Sequence, residues 1–164
     1  MDLSKTEFIG YYQTVCLNGH QQDALIEKLN VNHDYGFCKL CGEKIIDSCP
    51  NCGSFFIGFN DRTIAYKEPI PKYCYNCSKA LPWTIKELQS FNELLDLEEQ
   101  LSDEEKDKIK SYIPDLMEES PTTEINASIV KVYISKASKD IGALIYNFLV
   151  DTVSETARKI LTGS

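Results

Sequence analysis

Cys38-Lys-Leu-Cys41-Gly42, Cys49-Pro-Asn-Cys52-Gly53 and Cys74-Tyr-Asn-Cys77-Ser78 repeat one short pattern along the first half of the chain, and Cys16-Leu-Asn-Gly-His20 precedes them with a histidine as its second member. Together the four pairs use all 7 cysteines. Two ligands separated by two or three residues can reach one ion when the backbone turns tightly, and thiolate with imidazole is a donor set that suits tetrahedral zinc, at about 2.0 to 2.3 Å. Eight ligands fill two such sites. The sequence therefore predicts two Zn²⁺ per chain, bound by Cys16, His20, Cys38, Cys41, Cys49, Cys52, Cys74 and Cys77. Gly42 and Gly53 directly follow the second ligand of their pairs and Gly19 precedes His20, where positive φ is often needed.

Spacing favours pairing along the sequence. Seventeen residues lie between His20 and Cys38 and twenty-one between Cys52 and Cys74, enough for a short hairpin within each site, against seven between Cys41 and Cys49. One zinc then takes Cys16, His20, Cys38 and Cys41, and the other takes Cys49, Cys52, Cys74 and Cys77. A crossed arrangement, pairs one with three and two with four as in ubiquitin-ligase cross-brace domains, is the main rival. Redox Cys-x-x-Cys motifs fit less well, since none opens a helix in a βαβ pattern. An iron–sulfur cluster could use the thiolates, but the histidine and the glycine turns favour zinc. His33, in the polar loop Asn30-Val-Asn-His33-Asp34, reads as a solvated residue.

The 164 residues suit one ordinary domain or two small ones, and 43% hydrophobic with 26% charged residues describes a folded chain without low-complexity tracts. No stretch reaches the roughly 18 apolar residues of a membrane helix, and the N-terminal residues lack a secretory pattern. A cytoplasmic location is the expectation, where thiols stay reduced and regular cysteine pairs bind metal rather than form disulfides.

Charge divides the chain. Residues 1–82 carry eight Lys and Arg against nine Asp and Glu, and residues 83–164 carry nine against sixteen, so most of the net −8 lies in the second half. Two domains follow: residues 1–82 as a small zinc-stabilised β region of two tandem zinc ribbons, and residues 83–164 as an acidic, all-α helical region. In the first, Phe8–Val15, Ile45–Ile46, Phe55–Phe59 and Thr63–Tyr66 read as strands. Gln21–Leu29 reads as a short helix. With so few apolar residues, this half depends on its metals, each contributing on the order of 10 kcal/mol of folding free energy.

Beyond Pro82, Thr84 with Glu87 reads as a capping box and Trp83 as a staple on Leu88, with Ile85, Leu88, Phe91, Leu94 and Leu95 as the apolar face to about residue 99. Ser102 and Glu105 open a second helix that Pro114 is expected to end. Ser120-Pro121 opens the next, with Ile125, Ile129, Val132, Tyr133 and Ala137 on one face, continued by Ile141, Leu144, Ile145, Phe148, Leu149, Val153, Ala157, Ile160 and Leu161 to a stop at Gly163. Residues 122–162 form one long helix or two broken near Ser138–Gly142. The stripe reads first as intramolecular core, second as a self-association face; an acidic helix is poorly suited to anionic lipid.

The order Cys16-x-Asn-Gly-His20, Phe37-Cys-x-x-Cys-Gly42, Cys49-Pro-Asn-Cys-Gly53, Tyr73-Cys-x-Asn-Cys77 and Pro82-Trp-Thr84 resembles a bacterial family of small proteins assigned only as a domain of unknown function. Leu101-Ser-Asp-Glu-Glu105 and Leu149-Val-Asp-Thr-Val153-Ser-Glu-Thr-Ala157 look like the same family's helical segment, so the resemblance covers nearly the whole chain. It implies zinc ribbons and a bacterial source, and supplies no activity. Ser78 departs from the glycine expected after Cys77.

No nucleophile with a base, phosphate cradle or open metal position is recognisable, and every good metal ligand is spent on a closed site. The expectation is a non-enzymatic protein-interaction or adaptor module, its partner another protein or a second copy through the C-terminal helices, with Phe55, Phe56 and Phe59 as candidate exposed aromatics. The alternative is a nucleic-acid-binding zinc ribbon. Lys39, Lys44, Lys67, Lys72 and Lys79 interleave with Phe37, Tyr66, Tyr73 and Tyr75 as a stacking surface, although one arginine in residues 1–82 is a weak electrostatic footprint.

Overall fold

A computed structural model describes residues 11–27, 34–59 and 69–164. The chain divides into two compact units, Met1–Thr84 and Ile85–Ser164. The first holds a three-stranded antiparallel sheet of β1 (Tyr12–Cys16), β2 (Gln21–Ile26) and β3 (Ile45–Ile46) in the order β2-β1-β3. The central strand β1 pairs Val15 with Gln21 on one side and with Ile46 on the other.

Gln21–Ile26 is a strand where the sequence predicts a helix. Gly19, at φ 85°, lets the chain reverse after β1, and the returning residues find ladder partners in β1 that an isolated helical turn would forgo. Ala24 is buried between exposed Asp23 and Leu25, the alternation of a half-buried strand. Residues 28 and 29 of that expected helix lie outside the described residues, as do Phe8–Gly10 of the first expected strand, Thr63–Tyr66 and His33. Residues 55–59 form no continuous strand. They join the sheet through a single bridge, Tyr12 with Ile57, and through Gly58 N–H donating to Tyr11 O at 2.7 Å. A Cβ on Gly58 would lie 2.3 Å from Ala24 O, so only glycine permits this approach.

The sheet carries a small core of Val15, Phe56, Leu81 and Trp83 with Cys49 and Cys74, beside a second group of Cys16, Cys38 and Ile45. Trp83 meets Phe56 edge-on at 5.5 Å between ring centroids and donates its Nε1–H to Pro71 O at 2.7 Å. Phe56 is thus a core residue. Phe55, half-buried, stacks on Tyr12 at 4.8 Å, and Phe59 is also half-buried, so none of these three phenylalanines is an exposed aromatic.

Five helices follow: α1 (Pro82–Asp96), α2 (Asp103–Leu116), α3 (Thr123–Ile134), α4 (Lys139–Thr152) and α5 (Glu155–Thr162). Proline opens α1, where its missing N–H costs nothing. Thr84 is therefore inside the helix and does not cap it; its hydroxyl donates to Lys72 O at 2.7 Å, and Trp83 belongs to the sheet core rather than to a staple with Leu88. The capping box of α2 forms, with Glu105 N–H donating to Ser102 Oγ and Ser102 N–H to the Glu105 carboxylate. Pro114 does not end α2, which runs to Leu116. A proline so near the C-terminus removes one helical bond, and Ile113, Leu116 and Met117, all buried, hold the last turn.

Ser120 does not cap α3 with Pro121 as its first helical residue. Residues 120–122 form a hydroxyl-bonded turn, Thr122 is the N-cap and the helix begins at Thr123. The buried face of α3 is Thr123, Asn126, Ala127 and Val130, leaving Ile125 and Val132 exposed at 64% and 60%. This helix packs against α2, α4 and α5, and a face of small side chains admits three neighbours. Residues 122–162 are not one long helix: a break at Ser135–Ser138 falls beside the alternative expected near Ser138–Gly142, and a second, unexpected break lies at Val153–Ser154. Ser154 Oγ accepts from Ala157 N–H and Ser154 N–H donates to Leu116 O, which fixes the second break. Gly163, at φ 75°, ends α5. Phe91, Leu95, Ile109, Ile113, Leu116, Val130, Ile145, Leu149 and Leu161 make one continuous core in this unit. No helix among the described residues is long and apolar enough to cross a membrane.

Candidate metal centres

Three of the four ligand pairs sit on copies of one backbone turn. In each, the N–H of the first cysteine donates to the residue five positions on: Cys38 to Glu43 O, Cys49 to Ser54 O and Cys74 to Lys79 O, at 2.8 to 2.9 Å. In each, the residue after the second cysteine donates back to the first: Gly42 to Cys38 O, Gly53 to Cys49 O and Ser78 to Cys74 O, at 2.8 to 2.9 Å. A single bridge closes every copy, Phe37 with Lys44, Ser48 with Phe55 and Tyr73 with Ala80. The closing turn requires positive φ, supplied by Gly42 at 75° and Gly53 at 76°. Ser78 adopts φ 57°, so the third copy keeps the turn despite its side chain. Its hydroxyl donates to Cys77 O at 2.7 Å, a local bond that offsets part of the left-handed strain.

The fourth pair is built by the sheet. Cys16 ends β1 and His20 precedes β2, so the hairpin turn sets them side by side, with Cys16 N–H donating to His20 O at 3.0 Å.

These turns gather the ligands into two groups. Cys16, His20, Cys38 and Cys41 form the first, and Cys49, Cys52, Cys74 and Cys77 the second, with the ligand atoms of each within 4.8 Å of one another. The grouping follows the sequence; the crossed arrangement does not occur. Cys16 and Cys41 sulfurs lie 3.6 Å apart, Cys52 and Cys74 3.6 Å, and Cys49 and Cys77 3.7 Å. The edge of a tetrahedron around an ion with sulfur at about 2.3 Å is about 3.8 Å long. His20 Nδ1 stands 3.5 Å from Cys16 Sγ and 3.7 Å from Cys38 Sγ, against about 3.6 Å for a mixed sulfur–nitrogen edge of such a site. Both groups therefore have the dimensions of a four-ligand metal site.

Backbone amides prepare the sulfurs for charge. His20 N–H and Leu40 N–H each donate at 3.4 Å, to Cys16 Sγ and Cys38 Sγ respectively. Burial pushes the Cys38 thiol up, but the amides of Leu40 and Cys41 with its neighbours Cys41 and His20 outweigh it and bring the thiol down to about 6. Cys52 falls to about 6, chiefly through Ser54 and Asn76. Cys77 is lowered by the Lys79 amide above all. Burial raises Cys16, and it pushes Cys49 up to about 11. Each group thus mixes easily ionised and reluctant thiols, and an ion that binds all four must displace protons.

A family model described as an uncharacterised protein conserved in bacteria (DUF2321) matches residues 10–161. The chain belongs to that family. The match takes in both ligand groups of the DUF2321 chain and four of its helices in full, with α5 up to Leu161. Neither a curated protein nor a solved structure matches it.

Of the aromatics that the sequence places on a stacking surface, Phe37 and Tyr75 are exposed, Tyr73 is half-buried and Tyr66 lies outside the described residues; Leu40 is an exposed residue that the sequence does not single out. Phe37 and Leu40, on either side of Cys38, are 72% and 76% exposed, and Tyr75, between Cys74 and Cys77, is 71% exposed. These side chains sit on the turns themselves, whose tight backbone leaves no room to fold them inward. Leu40 and Tyr75 lie inside a Cys-x-x-Cys pattern and Phe37 directly precedes one, which was the available signal.

Proposed function

We propose that the chain is a non-enzymatic interaction module whose first unit is two tandem zinc ribbons, each closed by one structural Zn²⁺. The observation that carries the zinc reading is the tetrahedral spacing of two complete four-ligand sets. Sulfur-rich tetrahedral sites suit zinc, and a site with four protein ligands keeps no position for substrate or water. The zinc serves as a staple, linking β1 and three short turns that have little core of their own. Metal analysis with native mass spectrometry tests this: two zinc ions per chain support it, and a chain purified without metal or with iron–sulfur absorbance rejects it.

The interaction reading rests on apolar side chains held outward by rigid turns. Phe37, Leu40 and Tyr75 cannot retreat into the core, so they are candidate anchors for a protein partner. Beside the second centre, a cleft of about 190 Å³ is lined by Phe56, Ile57, Pro69, Pro71, Tyr73 and Tyr75, comparable to an engineered cavity of about 150 Å³ that holds one benzene ring. Crosslinking in the native host, repeated with Phe37→Ala and Leu40→Ala, tests it. Loss of a specific crosslinked partner with unchanged zinc content supports the reading; an identical crosslinking pattern rejects these anchors.

Exposure of Phe37 and Tyr75 next to Lys39 and Lys79 favours a second reading, base stacking on a single-stranded nucleic acid. Its weakness is charge, since zinc-bound thiolates make the unit more negative. Fluorescence anisotropy with a labelled oligonucleotide at low salt decides it, with no binding as the adverse result.

A further inference from the structure

The two centres differ in how their sulfurs can be paired. In the second, four ligand sulfurs lie within 4.8 Å of one another and can pair with none left over; Cys52 with Cys74 at 3.6 Å and Cys49 with Cys77 at 3.7 Å are pairs that join one turn to the other, beside further contacts of Cys49 with Cys74 and of Cys77 with Cys52. In the first, Cys16 and Cys41 are 3.6 Å apart, and pairing them leaves buried Cys38 without a second thiol, beside His20 Nδ1, the Leu40 amide and the Gln22 side-chain amide. We propose that the second centre is a reversible thiol-oxidation site, where peroxide converts Cys52–Cys74 and Cys49–Cys77 into two disulfides and ejects the metal.

Access and reach both support this, on the footing of the zinc reading above. Cys41 of the first centre and Cys52 of the second are both exposed, so an oxidant can approach the second centre at Cys52, and the number of thiols rather than access distinguishes the two centres. Its sulfur lies 3.3 Å from the Ser54 hydroxyl and 3.7 Å from the Asn76 amide nitrogen, groups that can donate to a thiolate. Closing a disulfide of about 2.05 Å from 3.6 Å asks each sulfur to move by about 0.8 Å. Both bonds join the turn at 49–52 to the turn at 74–77, the same two segments that the metal joins. A covalent staple replaces the ionic one, and the ribbon stays closed.

The chemistry balances. Cys52 thiolate attacks a peroxide oxygen, breaking the O–O bond; the departing hydroxide takes a proton and leaves as water, and Cys52 is left as a sulfenic acid. Cys74 thiolate attacks that sulfur and expels the second oxygen as hydroxide, which is protonated to water. Two thiolates have given two electrons to one peroxide. A second peroxide does the same with Cys77 and Cys49, and the ion departs without a change of oxidation state.

The test adds hydrogen peroxide stepwise to the zinc-loaded full chain, following native mass, released zinc, Trp83 fluorescence and alkylated disulfide maps. The expected result is loss of one zinc ion before the other, leaving the emptied second centre four hydrogens lighter than its reduced, metal-free form. The maps should show Cys49–Cys77 and Cys52–Cys74, with Cys16, Cys38 and Cys41 still alkylated. Trp83, buried in the first unit, should keep its blue-shifted emission, and dithiothreitol with zinc should restore the starting mass. Simultaneous loss of both ions, sulfinic acid at Cys52 without a link, or links confined to Cys49–Cys52 and Cys74–Cys77 would overturn the proposal. Should the untreated chain carry no zinc, the metal reading fails separately. The reduced chain then decides the pairing: the two cross-turn links support the oxidation site, and links within the turns reject it.

Discussion

In the unit ending at Thr84, the buried apolar side chains form two small groups around Val15, Phe56, Leu81 and Trp83 and around Ile45, and cysteines belong to both. In the unit beginning at Ile85, a single core runs from Phe91 to Leu161 and contains no ligand-bearing residue. The first unit gathers eight sulfur and nitrogen atoms at two points of metal-site dimensions, whereas the second is held by contacts spread over five helices. A metal site concentrates stabilisation in bonds that are present or absent together, whereas apolar packing distributes it in increments of one side chain. The two halves should therefore respond to different insults.

The largest effect should come from chelation. Removing both ions withdraws on the order of 10 kcal/mol per site and should unfold the first unit alone. Trp83 emission should shift to the red while the helical circular dichroism at 222 nm largely remains; loss of both signals together would break the comparison. Acid should act in the same direction. Metal binding drives protons off Cys49, whose thiol sits near 11 without metal, so zinc affinity should fall as pH falls, measurable by competition with a zinc indicator.

Leu149→Ala sharpens the other side. Leu149 is fully buried in the helical core, and its truncation should cost about 2–5 kcal/mol in thermal or urea unfolding of that unit. The zinc count by native mass spectrometry should not change.

A smaller effect separates packing from polar structure within the helical unit. Glu98 is fully buried beyond the end of α1, where its carboxylate accepts from Ser138 N–H at 3.0 Å, from Ser138 Oγ–H at 2.6 Å and from Gln100 N–H at 2.7 Å. It holds both donors of Ser138, the N-cap of α4, whose own side chain makes no cap bond to the helix. Burial raises its pKa, but the Ser138 hydroxyl and the Gln100 and Ser138 amides, with Lys106 nearby, hold it below the ordinary carboxylate value. A depressed pKa stabilises the fold above the unfolded-state value of about 4.3 and ceases to do so as pH falls through the folded value. Glu98→Gln should cost about 1–3 kcal/mol at neutral pH and less in acid, read from urea midpoints at several pH values.

The smallest expected change is a gain. Ser78→Gly relieves a left-handed residue but loses the Ser78 bond to Cys77 O, and should stabilise the first unit by about 0.5–1 kcal/mol. Retention of zinc at a slightly lower pH would register it; weaker retention would show that the hydroxyl matters more than the strain.

The grouping of the eight residues was legible because turns of this kind are local. Cys-x-x-Cys followed by glycine specifies its own hydrogen bonds, and the same logic reads the Ser102–Glu105 box and the Gly163 stop correctly. Reading failed where a distant segment competed for a group. Gln21–Ile26 has acceptable helical composition, but β1 offers it a ladder. Thr84 resembles a cap, but Lys72 O takes its hydroxyl, and Pro114 resembles a terminator until the burial of Leu116 and Met117 is counted.

The sequence by itself determined which eight residues come together, that they divide along the chain, and that helices follow after Pro82, because spacing and turn chemistry act within a few residues. Only the tertiary structure decided which face of α3 is buried, that the long apolar stretch breaks a second time at Val153–Ser154, and that Phe56 is core while Leu40 stands in solvent. Apolar side chains on every side of a helix or turn give no preferred face until neighbours occupy the space around them, and the neighbours are set by the whole chain.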